Sequence, residues 1–419
     1  MAINYRLTTL GPGTEVLDLP FGTPLADWDD PRIVHVPRGI SRHVVRFVQT
    51  ADDLFAIKES PEHYVLREHS LLRALAEHGV PVVEAYGTVV DRTDDAGEDL
   101  PGLIITRYLP FSLPYRSLFT GRTLPELRTR LLDALAGLFV RLHLAGFYWG
   151  DCSLSNTLFR RDAGALAAYL VDAETGEMHE TLSDGQRNYD LTIATENIVG
   201  ELFDLQAAGY LDPKLDAIEA AQELAPRYEQ LWDELTRDEV IGRDESYRIT
   251  KRVQRLNNLG FDVSELAINS EAGGQRLRFE TRVVEPGHHQ RRVFALMGLH
   301  VQENQARILL DDLSRFRAKW SDGAGHQIPE DLAARRWLDQ KFYGTLALVP
   351  ADMRAKLPDA ELFHEISEHR YLLSERRGHD VGRLAAVASY VDSVLRELPD
   401  TRVDLSSGPP TEEFLPILD

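Results

Sequence analysis

The spacing of apolar positions changes several times along the chain. "RHVVRFVQ" and "LFAIKE" are short runs of branched and aromatic residues separated by the turn residues "TADD". They predict two strands, and a period of two places Ala56 and Lys58 on one face and Phe55 and Ile57 on the other. "EHYVLREHSLLRALAEHG" then switches to helical spacing. Val65, Leu66, Leu72 and Leu75 share one broad face, Gly79 supplies the stop, and Glu68 lies within the helix. "PGLIITRYLP" predicts a strand that runs into a Pro-containing connector. In "LPELRTRLLDALAGLFVRLHLAGFYWGD", Leu131, Leu132, Leu135, Leu138, Phe139 and Leu142 recur at three- and four-residue steps, with Gly146 as the C-terminal cap. "AAYLVDAETGE" predicts a strand ending at Asp172.

Beyond Asp172 the pattern is mostly helical. "RNYDLTIATENIVGELFDLQAAG" and the acidic "LDPKLDAIEAAQELAPRYEQLWDELTRDEVI" predict helices, with a boundary between about 240 and 265. "QRLRFETRVVEP" alternates and predicts a strand. "GHHQRRVFALMGL", "VQENQARILLDDLSRFRAKW", "DLAARRWLDQKFYGTLALV" and "VGRLAAVASYVDSVLREL" predict further helices, and "DLSSGPPTEEFLPILD" a flexible tail.

Composition narrows the class. The 419 residues are 43% hydrophobic and 27% charged, ordinary for a globular chain with a sizeable core. No apolar run is long enough to span a bilayer and no signal-peptide core is present, so a cytoplasmic protein is predicted. A single cysteine, Cys152, excludes a disulfide framework and a cysteine-rich metal site. The net charge of −21 argues against nucleic-acid binding through the whole surface. Only six of the 46 basic residues are lysine, and Lys58 is the first of them by more than 150 positions. In so arginine-rich a chain, a lysine marks a place that needs a compact ammonium on a thin stem.

The segment "YWGDCSLSNTLF" places Asp151 five positions before Asn156. An aspartate can take the proton of an attacking hydroxyl, and a carboxamide and a second carboxylate, Asp172, offer hard oxygen ligands to magnesium. Cys152 reads as a small packed residue rather than a nucleophile. Asp190 could brace the Asp151 loop from the following helix.

Together, "LFVRLHLAGFYWGDCSLSNTLF" and "YLVDAE" resemble the catalytic core of the protein-kinase-like superfamily, nearest the aminoglycoside phosphotransferase and lipopolysaccharide core kinase branch. The resemblance covers roughly residues 35–205. It implies an α+β, two-lobed kinase-like fold. It also implies ATP and magnesium, with phosphoryl transfer to a hydroxyl of unspecified identity. On this pattern Asp151 is the catalytic Asp, Asn156 and Asp172 hold metal, and Lys58 contacts phosphate with Glu68 as its helix partner. Nucleotide contacts are expected from Gly39, Ser41 and Arg42 in "VPRGISRH", from Ala56, and from the connector at Arg107 and Leu109.

The organisation expected is an extension over 1–34, a first lobe and hinge over 35–110, a second lobe over 111–260, a mainly helical domain over 261–400, and a tail over 401–419. The last third resembles an uncharacterised domain attached to bacterial kinase-like halves, which brings no function.

Several positions depart from the family pattern. One glycine stands in place of a glycine-rich loop. Trp149 replaces a histidine, where an indole can serve as the internal brace. "DAE" replaces Asp-Phe-Gly, so Glu174 can add a carboxylate near the metal. No Arg precedes Asp151. These features point away from a regulated eukaryotic protein kinase. They leave open a nucleotide-binding pseudokinase and a nucleotidyl transferase using the same cleft. A third alternative is a nucleic-acid-associated regulator acting through His288, His289, Arg291 and Arg292, at a helix start where anions are favoured.

Overall fold

The computed structural model describes residues 5–11, 16–34, 36, 43–51, 53–115, 118, 127–237, 239–242, 251–254, 256, 261–270 and 276–398. The expected tail, and the positions of Gly39, Ser41 and Arg42, lie outside the described residues.

The first lobe is a six-stranded antiparallel sheet. Its strands are β1 (Arg6–Thr9), β2 (Ile33–Val34), β3 (Val45–Gln49), β4 (Leu54–Ser60), β5 (Ala85–Val90) and β8 (Gly102–Arg107), in the order β1-β5-β8-β4-β3-β2; the two-residue strands β6 (Arg92–Thr93) and β7 (Asp99–Leu100) pair with each other, and β9 (Ser112–Pro114) and β13 (Glu177–Met178) are short strands further along the chain. The alternation read in β4 holds. Phe55 and Ile57 are fully buried on one face, whereas Ala56 and Lys58 line a cleft on the other. Helix α1 (Glu62–Glu77) packs on that second face through Val65, Leu72 and Leu75.

The stretch 1–34, expected as an extension, is part of this lobe. It supplies both edge strands, and Val16, Leu19, Phe21, Leu25 and Trp28 cover the Phe55–Ile57 face. Its apolar residues show neither period because they lie on irregular backbone, which hid them from pattern reading.

The second lobe is built on helix α2 (Leu127–Leu144), whose apolar residues occur at the expected positions. After α2 come strand β10 (Phe147–Tyr148) and the Asp151 loop, followed by a hairpin of β11 (Thr157–Asp162) and β12 (Ala165–Leu170). Helices α3 (Asp184–Ala207), α4 (Ala217–Gln222) and α5 (Leu224–Thr236) close the lobe. The segment "EVIG", expected to continue a helix, is strand β14 (Glu239–Gly242). It pairs with β16 (Arg276–Pro286), which also pairs with β15 (Phe261–Ser270). Branched Val240 and Ile241 suit that pairing better than a helix end.

The last third is mainly helical, comprising α6 (His288–Met297), α7 (Glu303–Ala324), α8 (Glu330–Trp337), α9 (Asp359–Arg377) and α10 (Arg383–Tyr390), with a π-helical turn over Leu338–Tyr343. Its separate core centres on Trp337, Phe342, Phe363, Leu309 and Tyr390.

This domain grips the tip of the β11–β12 hairpin. The turn residues Ala163 and Gly164 both have positive φ, +48° and +83°, as a two-residue type I′ turn requires. Asp162 Oδ1 accepts Gln305 N (2.7 Å) and its Oδ2 accepts Asn304 N (3.0 Å), which fills the open donors at the start of α7. Asn304 Nδ2 donates to the carbonyls of Asp162 and Ala163 (3.0 Å each). Glu361 Oε2 accepts Ala163 N and Gln305 Nε2, both at 2.8 Å.

Burial pushes the Asp162 carboxyl up to about 7 from its ordinary 3.8, against the two N–H bonds that favour its charge. A carboxyl raised in the folded state carries a cost that is absent below its unfolded value and complete above its folded one. Asp162→Asn loses one of the two N–H bonds but carries no such cost. Its deficit in melting temperature relative to wild type is therefore expected to be larger at pH 5 than at pH 8. Paired thermal melts at the two values check this. Asp162→Ala loses both bonds, for about 2–4 kcal/mol.

Candidate functional site

Between the lobes lies a cleft of about 840 Å³. Lys58 enters from β4 with its side chain only 13% exposed, and its Nζ stands 2.7 Å from Glu68 Oε2, 3.1 Å from Asp172 Oδ2 and 3.4 Å from Glu174 Oε2. Burial alone would lower the Lys58 ammonium, but the Glu68 and Asp172 charges raise it, so it stays protonated. Glu68 is 2% exposed, and burial, with Asp172 beside it, pushes its carboxyl up to about 8. Three carboxylates thus share one ammonium. The oxygens of Glu68, Asp172 and Glu174 lie within 4.8 Å of one another. Glu174 also pairs with His43 (3.2 Å), and its backbone N–H donates to Asp172 Oδ1 (3.0 Å).

The Asp151 loop is held from beneath by α3. Asp190, fully buried, accepts the backbone N–H groups of Trp149 and Gly150, both at 2.8 Å. Gly150 has φ +75°, which lets the chain turn sharply before Asp151. His143 completes this contact, 3.2 Å from Asp190, with the Tyr228 hydroxyl 2.8 Å from its other ring nitrogen. Burial lowers the His143 pKa, so the ring is neutral, with Nε2–H donating to Asp190 and Nδ1 accepting from Tyr228.

The Trp149 indole takes the bracing position expected of it. Its Nε1–H donates to the Asp172 carbonyl (3.1 Å), and the Thr175 hydroxyl donates to the Trp149 carbonyl (3.1 Å). Cys152 is fully buried, and burial raises its thiol well above the ordinary range, which makes it an inert packed residue.

Asn156 Nδ2 donates to the Asp151 carbonyl (3.1 Å), leaving Oδ1 as the amide atom available to a cation. Two residues of α3 that the pattern of the sequence did not single out complete the loop. Glu201 accepts Leu154 N (2.6 Å), Ser155 N (2.9 Å) and Ser155 Oγ (2.6 Å). Asn197 Nδ2 donates to the Cys152 carbonyl (3.0 Å) and lies 3.5 Å from Asp151 Oδ1. They are one helical turn apart, so a polar stripe aimed inward at a loop was the available signal.

The cleft thus brings together Ala56, Lys58, Glu68, Asp151, Asn156 and Asp172, with Arg107 and Leu109 on its connector side. The Arg107 guanidinium is already committed. It pairs with Asp53 and with Glu84 (3.1 Å) and lies over the rings of Phe55 and Tyr86. The guanidinium is thus engaged on the face of the strand that carries the Phe55 contact, while Arg107 lines the cleft at the connector.

The helix start at His288–Arg292 is likewise not an open anion site. Glu303 accepts His289 N (2.9 Å) and Gln290 N (3.2 Å) and contacts His289 Nδ1 (2.5 Å), while Arg292 pairs with Glu330 (2.7 Å). The anion expected at that N-terminus is the chain's own carboxylate.

Residues 49–195 match the lipopolysaccharide kinase (Kdo/WaaP) family, and residues 230–395 match a domain of unknown function, DUF4032. No curated protein matches the chain. Among solved structures the chain is similar to WaaP in complex with acyl carrier protein, at 17% identity over 61% of this chain and 99% of that one, with a TM-score of 0.38. It is also similar to the BubR1 kinase domain, at 12% identity over 39% of this chain and 53% of that one, with a TM-score of 0.28. The cleft-bearing segment is thus similar to the lipopolysaccharide kinase (Kdo/WaaP) family, in a kinase-like α+β fold followed by a separate, mainly helical region similar to a domain of unknown function.

Proposed function

We propose that the chain is an ATP- and magnesium-dependent phosphotransferase that moves the γ-phosphate to a hydroxyl acceptor. One observation carries this reading. A lysine ammonium sits among three carboxylates in an interlobe cleft that also holds Asp151 and Asn156. Three carboxyl groups crowd one ammonium, an imbalance that the raised Glu68 carboxyl expresses and that a hard cation would offset. The carboxylate oxygens of Asp172 and Glu174 lie within 4.8 Å of each other and Asn156 lines the same cleft, and hard oxygen donors of this kind suit magnesium. Asp172, Asn156 and Glu174 would hold the metal, and it would supply positive charge to offset that of the phosphate groups.

The remaining work falls to side chains of the protein. Val45, Ala56 and Ile104 on the first lobe face Leu158 and Val171 on the second, an apolar slot suited to a base ring. Lys58, held by Glu68, offers its ammonium to phosphate oxygens. Asp151 lies on a loop fixed by Asp190, Glu201 and Asn197, and it accepts the proton of the attacking hydroxyl. No helix of the described residues is long and apolar enough to cross a membrane, and a cytoplasmic site of action suits an ATP donor.

Nucleotide binding is tested by thermal shift. Saturation at one hundred times the dissociation constant should stabilise the wild type by about 2.7 kcal/mol. Lys58→Ala should abolish most of that gain. An equal shift in the variant would remove Lys58 from the site.

Transfer is tested with cell extract as acceptor pool and ATP labelled either at the γ-phosphate or in the adenine. Asp151→Asn should bind magnesium and ATP as wild type does and lose about a hundred- to ten-thousand-fold in transfer, since the amide cannot take the proton. Asp172→Asn should also weaken magnesium-dependent binding, because it lacks the charge that the metal neutralises. Movement of the γ-label supports phosphotransfer, and movement of the adenine label supports nucleotidyl transfer. Neither label moving, with both variants binding as wild type, makes the cleft a nucleotide-binding scaffold.

A further inference from the structure

The appended helical domain contains a second large pocket, of about 950 Å³, within the size range of small-molecule sites. Helices α7 and α9, the π-helical turn over Leu338–Tyr343 and the first residue of α10 enclose it. Its chemistry differs from that of the interlobe cleft. Four cations line it, Arg315, Lys341, Arg370 and Arg383, against the carboxylates of Asp312 and Asp339, with the apolar Phe363 and Ile366 among its walls.

The partners of these charges show what remains for a ligand. Asp312 accepts Trp337 Nε1–H (2.7 Å) and Lys341 Nζ (2.7 and 2.9 Å), so it is largely used within the fold. Arg315 lies 3.8 Å from Asp312, beyond hydrogen-bond reach, and its side chain is 73% exposed. Arg370 is paired with Asp380 (Nε to Oδ1 2.9 Å). Arg383 has no carboxylate partner among the described residues. Its Nη1 donates to the Gln340 carbonyl (2.6 Å), which holds the guanidinium over the pocket.

Gly344 makes room for that arrangement. A Cβ there would come within 3.2 Å of Arg383 Nη1 and 3.3 Å of the Asp339 carbonyl. The glycine and the π-helical turn together seat a guanidinium that makes no ion pair among the described residues. Single π-turns inside helical segments occur often at functional sites.

We propose that this pocket binds a phosphate-bearing small molecule. Arg383 and Arg315 supply the forked N–H donors that match phosphate oxygens. Asp339, on the rim, is placed to accept from a ligand hydroxyl, and Phe363 and Ile366 offer an apolar wall. A long polyanion is the wrong occupant, because a chain of net charge −21 repels it outside the pocket.

The test uses the full-length chain in EDTA, with inorganic pyrophosphate as probe and sodium chloride matched for ionic strength. Calorimetric titration should show pyrophosphate binding to the wild type. Arg383→Gln and Arg315→Gln should each weaken it by about tenfold, the usual worth of a charge-assisted contact. Lys58→Ala, in the interlobe cleft, should leave it unchanged. Both arginines are exposed, and melts without ligand establish that the variants fold. Equal affinity in wild type and both arginine variants overturns the proposal. So does loss of binding in Lys58→Ala alone, which would place the probe in the interlobe cleft, and so does a chloride control that reproduces the whole effect. Because metal and ATP are absent, failure here leaves the phosphotransfer reading untouched, and the converse also holds.

Discussion

The Lys58 ammonium joins a strand of the sheet lobe, the helix packed on it and the segment after the β11–β12 hairpin. Glu68 comes from α1, Asp172 and Glu174 from the second lobe. Taking these groups out of water is costly, and one ammonium does not compensate three carboxylates. The raised Glu68 carboxyl expresses that imbalance. The arrangement is sustained because the frame around it is rigid. The sheet buries Phe55 and Ile57 beneath Lys58, and the Trp149 indole fixes the Asp172 carbonyl. A charge imbalance held in place by packing is what a cation-dependent site requires before its cation arrives.

A second buried carboxylate, Asp190, does the opposite work. It is fully matched, by two backbone N–H groups and a neutral histidine. One buried carboxyl, Glu68, is therefore frustrated and lines the cleft, while the other, Asp190, is satisfied and faces the core. The contrast between them separates groups available for chemistry from groups that set geometry.

Much of this was legible in the sequence, for physical reasons that can be named. Alternation in β4 oriented Lys58 correctly, because one face of the strand is buried and the register cannot slip. The Asp151–Asn156 spacing was readable because both residues lie on one short loop. Glu201 and Asn197 were not, since a polar residue on a helix looks the same whether it faces water or a loop backbone. The contacts of Asp162 with Asn304 and Gln305, and of Ala163 with Glu361, were out of reach because no local period links positions so far apart. The helix start at His288–Arg292 misled for a related reason. The basic residues are local, but the carboxylate that occupies the site, Glu303, comes from the next helix.

The grip on the hairpin tip also has a consequence in time. The hairpin that presents Asn156 and leads to Asp172 is secured by residues 142 to 198 positions further along the chain. At about 5–20 residues per second of synthesis, the hairpin is made some 7–40 s before the residues that hold its tip. During that interval Asp162 and the left-handed Ala163 have no partner from α7 or α9. The hairpin tip of the nascent second lobe must wait for the last third of the protein before its contacts are complete. Order of synthesis thus lets the Asp151 loop gain its braces from α3 early and the hairpin tip gain its own late.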